Sequence, residues 1–300
     1  MKRICKRDLQ IDAFSLCFEL TNNYHFDHIK QLDYGEVYDL YEFYLTRIEG
    51  KYYHNVYTIK YDYEGKANEI GQLKFNNKDG KKSSNIHENG NPKVWIALSN
   101  HSLYTEDKGY IGFIAEKLGL TFHNFTTLDL CLDTPFCVSK LLRRYIRDKS
   151  LKVKLNGKYV QDRDEDRPEI TFTMSGSLNK DKYLTVTVKQ RNAIMDKRKG
   201  ITVTTYDKRA EILNASGKDY ILEYYGNPDK LYRTEVHLNN DEIKDFLKKE
   251  DLDLNPYMLD AQVLEALFFD SLNSVIYFKK GREEIKWEDL LGRRWALRSL

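Results

Sequence analysis

The sequence predicts an α+β fold, with antiparallel β-sheets covered by helices and a helical C-terminal region. Two observations carry that expectation. Short runs rich in Val, Ile, Thr, Tyr and Phe recur to about residue 238, with turn residues between them. After residue 240 the apolar positions change to helical spacing.

Strands are expected at 14–20, 41–48, 52–61, 70–75 and 94–98, separated by turn signals such as Glu49-Gly50 and Asn76-Asn77-Lys78-Asp79-Gly80. The polar stretch 78–92 reads as a loop. A helix at 109–118 places Ile111, Ile114, Ala115 and Leu118 on one face. A strand at 125–133 precedes a helix at 138–148. That helix has an apolar stripe of Leu141, Leu142, Tyr145 and Ile146 and a basic face of Lys140, Arg143, Arg144 and Arg147. Runs at 170–174, 183–188, 201–206 and 232–238 make a second strand-rich half. A helix at 241–249 opens on Asn240 as its N-cap candidate. A longer helix at 257–272 carries Leu259, Val263, Leu264, Leu267 and Phe268, and a strand at 274–278 leads to a final helix from Trp287. The tail reads Arg293-Arg294-Trp295 and Arg298. Three regions follow: a strand-rich 1–105, a central 106–250, and a helical 251–300 that is a DNA-binding candidate. Tandem repeats and long linkers are not evident.

At 41% hydrophobic and 13% aromatic residues, the 300-residue chain has enough apolar material for a sizeable core. Its 22 tyrosines suit strands, base stacking or wet interfaces alike. With 48 basic and 46 acidic residues the net charge is only +2, so any nucleic-acid surface must be a local basic patch. Cys5, Cys17, Cys131 and Cys137 form no CxxC pair and have no zinc-ligand spacing, which suits free thiols in a reducing compartment. No stretch approaches the ~18 apolar residues of a membrane span, and no apolar run follows the basic N-terminus. The expectation is a cytoplasmic protein without a membrane partner.

Three strands concentrate the polar chemistry. In residues 128–133, Leu128, Leu130 and Leu132 point one way, and Asp129, Cys131 and Asp133 point the other. The two carboxylates lie ~13 Å apart along a regular strand, so one could bind a metal while the other orients a basic partner. An amphipathic strand showing its polar face to water is the plainer account, although strands disfavour Asp. In residues 201–211, a strand continued through Lys208 would set Thr202, Thr204, Tyr206 and Lys208 on one face. A nearby cation favours the phenolate of a tyrosine, whose pKa is normally ~10; a snorkelling lysine is the plainer account. In residues 231–238, Arg233, Glu235 and His237 share a face. They suit either a cross-strand ion-pair set or a metal ligand beside a phosphate clamp.

Taken in order, these segments resemble the replication initiation factor (Rep_trans) family of rolling-circle plasmid initiators and related relaxases. The residues that carry the resemblance are Asp129 and Asp133, then Tyr206-Asp207-Lys208-Arg209-Ala210-Glu211, then Arg233-Thr234-Glu235, with a Gly-Ser turn at Gly176-Ser177. The match covers about residues 120–250. The family often has Arg two residues before the first Asp, where this chain has Thr127, and a polar insertion at 190–200 precedes the tyrosine strand. Tyr183, nearer the Gly-Ser turn, is the alternative nucleophile.

The resemblance implies a site-specific nicking endonuclease and strand transferase. Tyr206 would attack the scissile phosphorus, with Lys208 and Arg233 assisting. Mg²⁺ or Mn²⁺ would be held by Asp129, Asp133 and Glu235, and His237 is a further contact candidate. The substrate would be single-stranded or hairpin origin DNA, gripped by Arg143, Arg144 and Arg147 or by Arg293 and Arg294. A homodimer and a host helicase partner are also implied. Three other readings stay open: a non-catalytic DNA-binding replication or partition factor, a metal-dependent nuclease using water, and a tyrosine-rich structural protein.

Overall fold

A computed structural model of the chain describes residues 9–63, 66–79, 85–105, 110–160, 167–175, 183–196, 199–253 and 261–292. It is an α+β protein with a large antiparallel sheet and several helices. Two compact units divide it, Ile11–Leu128 and Asp129–Leu252 with the described residues beyond 260.

The first unit runs β1 (Gln10–Leu20), α1 (Tyr24–Ile29), β2 (Val37–Leu40), β3 (Phe43–Ile48), β4 (Tyr53–Tyr63), β5 (Lys66–Asn77), β6 (Lys93–Leu98), α2 (Asn100–Leu103) and α3 (Tyr110–Lys117), then enters β7 (Leu120–Thr134). Its strand order is β7-β1-β6-β5-β4-β3-β2. Alternating residues Leu16, Phe18, Leu45, Ile59, Leu73 and Ile96 are fully buried, as period-two patterning requires. Gly71 faces Leu98 across β5 and β6. A Cβ there would lie 2.3 Å from the Ala97 carbonyl oxygen, so the close strand approach needs glycine.

The second unit takes the last residues of β7 and continues α4 (Val138–Arg147), β8 (Lys152–Leu155), β9 (Lys158–Val160), β10 (Ile170–Ser175), β11 (Tyr183–Lys189), α5 (Arg191–Met195), β12 (Thr202–Asp207), α6 (Lys208–Glu211), a π-helical turn (Ile212–Ser216) and α7 (Asp219–Tyr224). β13 (Tyr232–Asn239), α8 (Asn240–Lys249), α9 (Ala261–Val275), β14 (Ile276–Lys280), β15 (Glu283–Ile285) and α10 (Trp287–Leu290) complete it. The strand order here is β10-β11-β12-β13-β7, beside a small sheet β15-β14-β8-β9. Helices α4 and α9 pack on β12 and β13. Val186, Val203, Val236 and Leu238 are buried from their strands, and Phe268 and Leu272 from α9. The Trp287 indole N–H donates to the Ile276 carbonyl at 2.9 Å and ties α10 to β14.

Three sequence expectations shift. The α8 cap is Asn239 rather than Asn240; its N–H donates to Glu242 Oε2 at 3.2 Å. The tyrosine strand stops at Asp207, whose carboxylate accepts the Ala210 N–H at 2.8 Å and so starts a helix at Lys208. The short strands β2, β8 and β9 were not expected, because none exceeds four residues and their patterning is too brief to register. The expected helix start at 257 and the Arg293, Arg294 and Arg298 tail lie outside the described residues. Among the described residues no helix is long and apolar enough to cross a membrane.

Candidate active site

Alternation on three neighbouring strands builds one polar face. On β12 it carries Thr202, Thr204 and Tyr206; on β13, Arg233, Glu235 and His237; on β7, Asp129, Cys131 and Asp133. The β12–β13 register sets Tyr206 opposite Arg233, Thr204 opposite Glu235 and Thr202 opposite His237. The β7–β13 alignment shows in two side-chain contacts. Arg233 meets Asp133, and His237 meets Asp129, four residues further along one strand and four back along the other. That is the order of an antiparallel pair.

One end of this face is sealed. The Arg233 guanidinium donates from Nε to Asp133 Oδ1 at 2.8 Å and from a terminal nitrogen to Oδ2 at 2.7 Å, and both side chains are essentially inaccessible. Tyr225 follows α7 and also hydrogen-bonds Asp133. Burial, and then the Asp133 charge, push its phenol above the usual tyrosine range. Cys131 is fully buried as well. Both Asp133 oxygens, expected as metal ligands, accept the planar Arg233 fork, and the Arg233 guanidinium, expected as a phosphate clamp, is buried on that carboxylate.

The side chains of the face beside this pair are half-exposed. The Tyr206 hydroxyl donates to Glu235 Oε2 at 3.0 Å, reaching diagonally past its direct partner Arg233. Its ring lies under the Lys208 ammonium, 5.7 Å from nitrogen to centroid. Lys208 is buried and paired to Glu211 at 2.9 Å. Because α6 begins at Lys208, the cation sits over the ring from a helix instead of lining up along a strand. His237 Nδ1 contacts Asp129 Oδ1 at 2.5 Å. That hydrogen bond raises the imidazole pKa above its ordinary value; burial opposes it, and the charges of Asp129, Glu235 and Glu242 add to it.

Among the described residues, the one group of three His, Cys, Asp or Glu side chains with donor atoms within 4.8 Å of one another is Glu19, His87 and His123, in the first unit. Asp129, Asp133 and Glu235 therefore do not form a ready-made cage. Asp129, Glu235 and His237 remain as half-exposed polar groups on the face. Tyr183, at the start of β11 opposite Ser175, has no described contact with these carboxylates.

No family model and no curated protein matches this chain. Among solved structures it is similar to a rolling circle replication initiator protein from Geobacillus stearothermophilus. The identity is 12%, 97% of each chain is covered, and the TM-score is 0.49. A likeness of that size says nothing about chemistry.

The basic helix divides. The Arg143 guanidinium lies 5.5 Å from the Phe172 ring centroid on β10 and is half-buried, whereas Lys140, Arg144 and Arg147 are exposed. Tyr225 and the Lys208–Glu211 pair escaped the sequence reading. For the pair there was a signal: Asp207 three residues before Ala210 is an N-cap pattern, and Lys208 and Glu211 then fall one helical turn apart. Nothing local marks Tyr225, whose role comes from the chain folding back after α6.

Two outcomes follow. Asp133→Ala removes the carboxylate from a buried guanidinium, so it should lower unfolding free energy by about 3–5 kcal/mol in urea denaturation, equally with and without Mn²⁺. A loss seen only with metal would return Asp133 to the ligand set. In metal-free protein, His237 should titrate above 6.5 by NMR, and Asp129→Asn should bring it down. The sign is that of a raised pKa: the pair's contribution is complete below the unfolded value and disappears as pH rises through the folded one. A His237 pKa unmoved by Asp129→Asn contradicts the pairing.

Proposed function

We propose that this chain is a DNA-nicking enzyme of the rolling-circle initiator and relaxase kind, with Tyr206 as nucleophile. One observation carries the reading: the phenol of Tyr206 rests on the Glu235 carboxylate at 3.0 Å, on a half-exposed polar face. A phenol that must attack at neutral pH needs a partner for its proton. The ordered motif set that resembles the Rep_trans family supports the same assignment.

In this mechanism Glu235 takes the phenolic proton as the Tyr206 oxygen bonds to phosphorus. The bond from phosphorus to the 3′ oxygen breaks, and that oxygen leaves as a hydroxyl after taking up a proton. The 5′ phosphate stays on Tyr206, so the linkage conserves the bond for later rejoining. The Lys208 ammonium, held over the ring by Glu211, favours the phenolate electrostatically. Arg233, Asp133 and Tyr225 position β13 and touch no substrate.

The donor set fits a divalent cation in a limited way. Small hard cations commonly take one or two protein carboxylates and complete their shell with water and substrate phosphate. Asp129 and Glu235 offer such a pair, with His237 beside them, and Asp133 does not. Mg²⁺ or Mn²⁺ bound there would supply charge to offset the developing negative phosphate. Asp129 would give up its His237 contact to take that role. Exposed Lys140, Arg144 and Arg147 are candidates for holding the single-stranded or hairpin substrate, and Arg293 and Arg294 are candidates from the sequence alone. Dimerisation and a helicase partner rest on the resemblance only.

The test incubates the protein with a supercoiled library of candidate origins and Mn²⁺ and maps nicks. Tyr206→Phe should abolish nicking and leave DNA binding near the wild-type level. Glu235→Gln should slow it by roughly 10²- to 10⁴-fold, the usual worth of a general base. A Tyr206→Phe protein that nicks at the wild-type rate would overturn the assignment.

A further inference from the structure

We infer that Glu19, His87 and His123 form a second metal site, in the first unit, that takes a borderline transition ion of the Zn²⁺ class. This inference is independent of the nicking chemistry. It rests on four features of the group.

The first is distance. The three side chains each offer a donor atom within 4.8 Å of the others. His123 Nδ1 is 3.2 Å from Glu19 Oε1. Ligands bound at 2.0–2.1 Å on a tetrahedral ion are about 3.3 Å apart, the edge of that tetrahedron. The observed pair already has that spacing. The His87 and His123 rings lie 4.1 Å apart between centroids, inclined at 54°.

The second is the tautomer. His87 Nε2 lies 3.1 Å from the Phe18 carbonyl oxygen, on a ring that is 7% exposed. A carbonyl only accepts, so Nε2 carries the proton and Nδ1 keeps its lone pair. Imidazoles that bind metals are commonly held this way, with the second nitrogen donating to a backbone carbonyl.

The third is support for the carboxylate. Glu19 Oε2 accepts the side-chain amides of Asn89 at 2.9 Å and Asn91 at 3.3 Å, which leaves Oε1 turned to His123. The two amides and His87 come from one tight turn. It is closed by the His87 N–H on the Asn91 carbonyl at 2.8 Å and the Gly90 N–H on the His87 carbonyl at 2.9 Å. Gly90 has φ +87°, which a residue with a Cβ adopts only with strain. The turn is joined to β1 by the Leu20 N–H on the Pro92 carbonyl at 3.0 Å. Two strands and one turn thus bring the three donors together.

The fourth is access. The group opens onto a cleft of about 730 Å³, lined also by Glu88, Asn89 and Lys93. Three protein ligands and an open side leave a fourth position for water or an acidic ligand, as at open zinc sites. Two imidazoles and one carboxylate select a borderline ion over Mg²⁺ or Ca²⁺, which prefer all-oxygen shells. The donor types therefore separate this site from the carboxylates around Tyr206.

The test uses the full chain, stripped of metal and titrated with Co²⁺, whose four-coordinate form absorbs strongly in the visible. The wild type should take up one Co²⁺ with those bands, and one equivalent of Zn²⁺ should bleach them. His123→Ala changes a partly exposed ligand and should weaken binding at least tenfold, while nicking, if present, stays at the wild-type rate. Glu19→Gln should do the same. Asp129→Asn should keep the bands, so failure of the Tyr206 reading is distinguishable from failure of this one. Absence of visible bands from the wild type, or bands unchanged in His123→Ala, would overturn the site.

Discussion

The buried ion pair between Arg233 and Asp133 is the constraint from which the polar face takes its form. Two full charges are held almost without water, and each is costly to desolvate alone. The fork geometry makes the pair tolerable because both guanidinium contacts fall on the two carboxylate oxygens. Its consequence is register. A slip of one residue between β7 and β13 would turn every side chain to the opposite face and leave both charges unmatched. With that slip excluded, Asp129 meets His237, and Glu235 stands where the phenol of Tyr206 reaches it.

The chain after β12 completes the arrangement. Asp207 ends the strand and caps α6, the π-helical turn and α7 fold back, and Tyr225 closes over the Asp133 carboxylate. The Arg233–Asp133 pair is thereby kept dry, while Tyr206, Glu235, His237 and Asp129 on the same face stay half-exposed. The Lys208–Glu211 pair belongs to the same turn, and it sets a buried cation over the Tyr206 ring.

Much of this was legible beforehand, for physical reasons. The long strands around Leu16, Leu45, Ile59 and Val203 announce themselves because period-two burial leaves a strong pattern. The polar rows on 129–133, 202–206 and 233–237 were visible because side-chain alternation is geometric. Their partners were not. Asp133 and Asp129 look alike along the sequence, and only the register on β13 decides that one is sealed against Arg233 and the other faces His237. Lys208 was misplaced because the alternation was carried one residue past the Asp207 cap. The Glu19, His87 and His123 group was invisible because its members come from β1, a turn and β7, with no spacing motif to join them.

What the account holds centrally is that position 206 forms the covalent bond to DNA. The most direct measurement traps the protein on an origin oligonucleotide, digests it with trypsin and identifies the modified peptide by mass spectrometry. The nucleotide should be found on the fragment spanning residues 200–208, between Lys199 and Lys208, attached to its single tyrosine. A nucleotide on the Tyr183 fragment, or cleavage with no attached nucleotide anywhere, would contradict it.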